Sequence, residues 1–166
     1  SLHPTLNVGF QIAEAIRAHQ GGFSTAQVDA RVVELLDQVG IPEPHRRAEE
    51  YAHTWSGGMR QRAMIAMAVA NNPDVLIADE PTTALDVTIQ AQVLELLREM
   101  KKETGAALIL ISHDLGVITE MSDRIAVMYA GRIVEAGSLS QIFAKPLHPY
   151  TAGLMASIPT LEGPIS

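Results

Sequence analysis

The sequence predicts an α/β protein whose sheet follows an all-helical layer. Three observations carry this expectation. The first third of the chain shows apolar positions at helical spacing and no strand pattern. Two short continuous apolar runs, Val75-Leu76-Ile77-Ala78 and Ala106–Ile111, then flank a long amphipathic stretch. That is the strand, helix, strand order of a parallel βαβ unit, whose strands are buried on both faces. Finally, 166 residues with 47% apolar content suffice for one domain or two small lobes sharing a core, since domains run to roughly 100–200 residues.

The elements follow in order. Val8, Ile12, Ala15 and Ile16 set a helix from Val8 to His19, and Gly21-Gly22 ends it. Ser24 N-caps a second helix that runs to about Val39, with Val28, Val32, Leu35, Leu36 and Val39 on one face and Gly40 and Pro42 stopping it. A weaker helical stretch covers Pro44 to Tyr51. After Trp55-Ser56-Gly57-Gly58 a helix continues to about Ala70, and its repeating face (Met59, Ala63, Ala66, Met67, Ala70) carries mostly small side chains that permit close packing. Asn71-Asn72-Pro73-Asp74 breaks it before the first strand. Val87–Glu103 is the crossover helix, with Ile89, Val93, Leu97 and Met100 facing the core. Beyond the second strand come a short helix, Leu115–Met121, and a hairpin of Arg124–Tyr129 and Ile133–Glu135 turning at Ala130-Gly131. Helical pieces at Leu139–Phe143 and Tyr150–Ser157 precede a Pro- and Gly-rich end.

Charge and composition narrow the function. Twelve Lys plus Arg against nineteen Asp plus Glu give a net charge of −7, which opposes the broad basic footprint of a duplex binder, so nucleic acid is not expected as a partner. No Cys is present, which removes disulfides, thiolate metal sites and cysteine nucleophiles together. With no basic and apolar leader at the start, the expected compartment is the reducing cytoplasm. No apolar run approaches the roughly 18 residues of a membrane-spanning helix. The lysines are Lys101, Lys102 and Lys145; none follows a glycine, so no Gly-Lys-Ser/Thr phosphate loop exists in this sequence.

Four constellations could carry chemistry. In Ser56-Gly57-Gly58-Met59-Arg60-Gln61-Arg62, a capping serine and two glycines leave the first helical N–H groups open to an anion at the positive end of the helix dipole; an ordinary N-cap is the plain alternative. In Asp79-Glu80-Pro81, two carboxylates emerge at the carboxyl end of a strand, where ligands sit in open α/β sheets. The first could hold Mg²⁺ through water, and the second could take a proton from an attacking water. Pro81 is expected to bias Glu80 toward extended backbone. A solvated strand end weighs evenly against this reading. Ser112-His113-Asp114 is not a hydrolytic triad, because consecutive residues leaving a strand point to opposite sides. His113 could instead donate to a phosphate oxygen or to water, or simply cap the next helix. Asp86 is placed to N-cap the helix from Val87. His3, His19, His45, His53 and His148 show no paired ligand spacing.

Taken in order, Ser56–Arg62, Val75–Glu80, Ala84-Leu85-Asp86 and His113 resemble the signature motif, Walker B, D-loop and switch histidine of ABC-transporter ATPase subunits. Ala78–Thr88, Gly131–Gly137, Ile142-Phe143 and His148-Pro149-Tyr150-Thr151 are similar to the oligopeptide/dipeptide importer branch, as is Ser1-Leu2-His3-Pro4. Trp55 stands where an aliphatic residue or Phe is usual in the signature. The resemblance implies a partial P-loop NTPase (RecA-like) sheet lobe with an all-α ABC helical subdomain. Its divisions would be 1–72, helical with the signature; 73–145, the partial sheet lobe; and 146–166, the start of the branch's C-terminal extension. It implies ATP and Mg²⁺ as cofactors, with Ser56, Gly57, Gly58, Met59 and Asp86 in nucleotide binding across a dimer, Asp79 supporting the metal, and Glu80 and His113 as the catalytic pair. It further implies a second ATP-binding subunit, integral-membrane permease subunits, an indirectly engaged substrate-binding protein, and a peripheral place on the cytoplasmic face of the cell membrane. Nickel or glutathione cargo, a DNA-repair or translation ATPase, and a non-catalytic phosphate-sensing module are the alternatives.

Walker A and the glutamine loop, which the family places upstream of such a segment, are absent from this sequence. The chain is therefore expected to be a fragment that does not hydrolyse ATP alone. Its strands should expose unpaired backbone and apolar faces, leaving it prone to associate.

Overall fold

The computed structural model describes residues 2–19 and 21–157; Ser1 of the Ser1–Pro4 match and the Pro- and Gly-rich end lie outside the described residues. The chain divides into two compact units, Ser1–Ile111 and Ser112–Ser166.

In the first unit, α1 (Val8–His19) and α2 (Thr25–Gln38) form as expected. Ser24 accepts from the Gln27 N–H while the Gln27 side chain reaches back, a reciprocal capping box. The stretch after Glu43 departs from expectation: only α3 (Pro44–Arg47) is helical, not the whole of Pro44–Tyr51. The physical reason is that the carbonyls of Ala48 and Glu50 accept from the otherwise unpartnered N–H groups of Gly9 (2.8 Å) and Val8 (2.9 Å) at the start of α1. Gly9 is required there, since a Cβ would stand 2.7 Å from the Ala48 carbonyl oxygen. A 3-10 turn (Ala52–Thr54) leads to α4 (Gly57–Val69), whose Ala63, Ala66 and Val69 are buried. α1, α2 and α4 pack mutually around Val8, Ile12, Ile16, Leu35 and Leu36. Arg62 of α4 donates to the Val39 carbonyl at 2.8 Å, which pins the end of α2.

The βαβ unit is present: β1 (Val75–Asp79) and β2 (Ala107–Ile111) pair in parallel, with Val75 opposite Ala107 and Asp79 opposite Ile111, joined through α5 (Val87–Thr104). Gly105 ends α5 at φ +69, in the left-handed conformation that suits glycine. The expectation of strands buried on both faces is not met. Leu76 is 5% exposed, but Val75, Ile77, Ile109 and Ile111 all lie on an exposed face, Ile77 at 67%. Side chains alternate along a strand, so Val75, Ile77, Ile109 and Ile111 share one face of this two-stranded sheet, and among the described residues no second layer covers it.

In the second unit, α6 (Leu115–Met121) precedes an antiparallel hairpin of β3 (Arg124–Tyr129) and β4 (Arg132–Ser138), longer than the expected Ile133–Glu135. Ala130 (φ +48) and Gly131 (φ +76) form its tight turn, and the register shifts by one residue after Val127, so Val134 bulges. α7 (Leu139–Ala144) follows a second capping box at Ser138, and α8 (Pro149–Ala156) follows His148. Glu135 joins the hairpin to this tail by accepting from the N–H groups of Leu147 (2.8 Å) and His148 (3.0 Å). The Leu147 N–H, then the buried Thr151 hydroxyl, then the His148 N–H hold its carboxyl below the usual carboxylate range. Thr151 Oγ1 has no partner at strict hydrogen-bond geometry, so its part is the weaker kind of attraction. Two separate stretches of the importer-like sequence thus meet at one carboxylate.

Candidate functional site

The site residues of the first unit gather at two neighbouring places. Ser56 N-caps α4: its hydroxyl accepts from the Met59 N–H at 3.2 Å, and its carbonyl from Arg60 at 3.0 Å. Ser56 itself is exposed, while Gly58 is buried. The two glycines have a packing role that the sequence did not reveal. A Cβ on Gly57 would stand 3.1 Å from Leu85 Cδ2, and one on Gly58 2.6 Å from Ile89 Cγ2. Only glycine lets the start of α4 approach the Leu85 turn and the first turn of α5 so closely. A Gly-Gly pair inside the first helical turn was the available signal, though it names no partner. An open cleft of about 400 Å³ lies beside this helix start, lined in part by Leu2, His53, Arg60, Thr83 and Leu85.

Trp55 fits without strain. It is 4% exposed, and its indole N–H donates to Glu50 at 2.8 Å, the same carboxylate oxygen that Arg47 contacts at 3.2 Å. A buried indole needs such a partner, so the unusual residue is an anchor under the signature turn.

Asp79 closes β1, with its side chain exposed beside Ile111. Glu80 continues the ladder by one bond, its N–H donating to the Ile111 carbonyl at 2.9 Å. The expectation of extended backbone at Glu80 is overturned: its φ is +50. The chain must leave the sheet at once, because Thr83 and Leu85 turn back on the carbonyls of Glu80 and Thr82 at 3.3 and 3.2 Å, and this outweighs the preference imposed by Pro81. Ala84 is also left-handed, at φ +62, so two non-glycine residues of costly backbone bracket the turn. The Thr83 hydroxyl donates to Glu80 Oε2 at 3.0 Å. Asp86 caps α5 as expected, accepting from Ile89 N–H at 2.9 Å. Among the described residues no group of three or more His, Asp and Glu is placed to hold a metal ion.

In the second unit His113 is exposed. Asp114 caps α6, accepting from Gly116 at 2.8 Å and Val117 at 3.3 Å, which removes the reading of His113 as the cap. The Ser112 hydroxyl accepts from the Asp114 N–H at 3.0 Å, an arrangement for shaping the turn and unlike a triad.

Comparison with known proteins accords with this geometry. Residues 2–83 match the ABC transporter family and residues 134–166 the oligopeptide/dipeptide transporter C-terminal region. The chain is 57% identical over 162 residues to the oligopeptide transport ATP-binding protein OppD of Bacillus subtilis (strain 168), covering 98% of this chain and 45% of that protein. It spans about half the length of the curated relatives it matches. Among solved structures it is similar, at TM-score 0.70 and 30% identity over 84% of this chain and 59% of the other, to a dimeric post-hydrolysis state of the ATP-binding cassette MJ0796 bound to ADP and Pi. The same values hold for the dimeric structure of MJ0796 as a bacterial ABC transporter cassette. Its ordered motifs, its partial P-loop NTPase fold and these matches place residues 2–83 in the ABC transporter family and residues 134–166 in the oligopeptide/dipeptide transporter C-terminal region.

Proposed function

We propose that this sequence serves an ATP-driven importer of oligopeptides or dipeptides, supplying the signature helix, the catalytic carboxylates and the switch histidine of its ATP-binding subunit. The observation that carries the reading is the packing of the Ser56-Gly57-Gly58 helix start onto the Leu85 turn that follows Asp79-Glu80. In it, Ser56 and the first amides of α4, with Met59 beside them, meet the γ-phosphate of ATP held by a second ATP-binding subunit. Glu80 accepts a proton as a water oxygen attacks the γ-phosphorus; the bond to the β–γ bridging oxygen breaks, leaving ADP and inorganic phosphate. Asp86 shapes the turn that faces the partner subunit, and His113 donates to the γ-phosphate or the water.

Asp79 fits Mg²⁺ as one hard, exposed oxygen donor. Asp79 would hold the ion through water. The metal supplies charge neutralisation on the phosphates when bound. Residues 1–72 are the helical subdomain facing the membrane-embedded permease, 73–145 the sheet lobe, and 146–166 the start of the branch extension. The subunit sits peripherally on the cytoplasmic face, and no helix of the described residues is long and apolar enough to cross a membrane.

Cargo is tested with the natural polypeptide carrying this sequence, reconstituted with its permease and binding protein in vesicles. ATP-dependent accumulation of labelled oligopeptide or dipeptide supports the reading. Accumulation of nickel or glutathione in its place overturns the cargo.

A further inference from the structure

We propose that Thr83 is a positioning residue: its hydroxyl fixes the orientation of the Glu80 carboxylate. The inference rests on the reading of Glu80 as the base and extends it. Three observations carry it. First, Thr83 Oγ1 donates to Glu80 Oε2 at 3.0 Å, across a three-residue step. Second, the backbone between them is held at both ends. Glu80 N–H is bonded to Ile111 in the neighbouring strand at 2.9 Å, and Thr83 N–H to the Glu80 carbonyl at 3.3 Å. Third, Glu80 and Ala84 keep left-handed backbone at φ +50 and +62. Glu43, Asn72 and Ala130 share that sign of φ at a helix start, a helix end and a hairpin tip. The pair at 80 and 84 instead brackets one five-residue turn whose Pro81 and Thr82 are buried. Such conformations persist only where the surroundings over-determine them, and they cluster at working sites.

The two threonines of this turn divide their tasks. Thr82 is 8% exposed and packs inward, whereas Thr83 is exposed, with its hydroxyl on the carboxylate. A glutamate side chain at a strand end otherwise spreads over several rotamers, and a base is effective only when its oxygen is held within hydrogen-bond reach of the proton it takes. A donor on the carboxylate weakens it slightly as a base, but the gain in orientation outweighs that cost where positioning dominates the chemistry.

The test uses the natural polypeptide assembled with its permease, with Thr83→Val (near-isosteric, no hydroxyl), Thr83→Ala, Thr83→Ser and Glu80→Gln compared in steady-state ATP turnover. Removing a hydrogen bond to a charged group is expected to lower kcat roughly tenfold in both Thr83→Val and Thr83→Ala, with KM for ATP within about twofold of the parent. Thr83→Ser, which keeps the donor, restores kcat. Unfolding of Thr83→Val, read from its melting temperature, leaves Thr83→Ala to decide. A kcat equal to the parent in the folded variants, a Thr83→Ser as slow as Thr83→Val, or a loss confined to KM each overturns the proposal while Glu80→Gln stays inactive. Undiminished turnover in Glu80→Gln overturns the reading of Glu80 beneath it.

Discussion

Ile12 and Ile77 are the same residue type in the same unit, yet Ile12 is fully buried and Ile77 is 67% exposed. Around Ile12, three helices converge with Ile16, Leu35 and Leu36. Around Ile77, two parallel strands present Val75, Ile109 and Ile111 on a bare face. An apolar run states that a segment favours cover, while the number of layers present decides whether it receives any. The helical layer completes its own core within these residues, and the strand pair does not.

The largest way to break this contrast is a cavity in the helical layer. Leu36→Ala is expected to destabilise the chain by roughly 2–5 kcal/mol in denaturant unfolding, against less than about 1 kcal/mol for Ile77→Ala, where little area leaves water. Equal losses would dissolve the distinction. The next effect concerns the join between α4 and α5. Gly58→Ala, which places a Cβ 2.6 Å from Ile89 Cγ2, should cost about 1–3 kcal/mol by overpacking in the absence of nucleotide. Ile89→Ala in the same chain should recover part of it, and strict additivity of the two substitutions in unfolding experiments would show that they do not touch.

A smaller effect is set by pH in the second unit. The Glu135 carboxyl lies below its ordinary range when folded, so the folded state binds its proton less readily than the unfolded state. Its contribution is complete above the ordinary carboxylate range and declines as pH falls through that range toward the folded value. Melting temperatures of the parent should therefore drop further in acid than those of Glu135→Gln; parallel pH profiles would contradict the assignment. The smallest change in stability accompanies the largest change in surface. Ile77→Thr with Ile109→Thr should reduce binding of an apolar-surface dye while leaving the unfolding midpoint close to the parent, and unchanged dye binding would place the bare face elsewhere.

Much of this was legible in the sequence because local rules and tertiary packing agree. Ser24, Ser56 and Asp86 cap the helices that follow them, and the α2 face of Val28, Val32, Leu35 and Leu36 is buried as its spacing implies. The motif residues could be named in order, and Asp79 and Glu80 do leave a strand end. What could not be read depends on atoms distant in sequence. α3 stops at Arg47 because the carbonyls of Ala48 and Glu50 serve α1. Glu80 turns left-handed because the ladder to Ile111 and the turn to Leu85 compete with the influence of Pro81. The role of Leu85 and Ile89 against the glycines, and of Thr83 against Glu80, needs coordinates, since spacing identifies a motif without saying which neighbours it touches.

In the proposed function, Glu80 activates the hydrolytic water while the signature helix and its partner hold the nucleotide. The most direct measurement is a single-turnover experiment on the natural polypeptide carrying Glu80→Gln, following bound ATP and released phosphate separately. ATP is expected to be retained at parent affinity with phosphate release lowered by at least roughly 10²-fold, the scale of a positioned general base. Phosphate release at the parent rate, with binding intact, would contradict it.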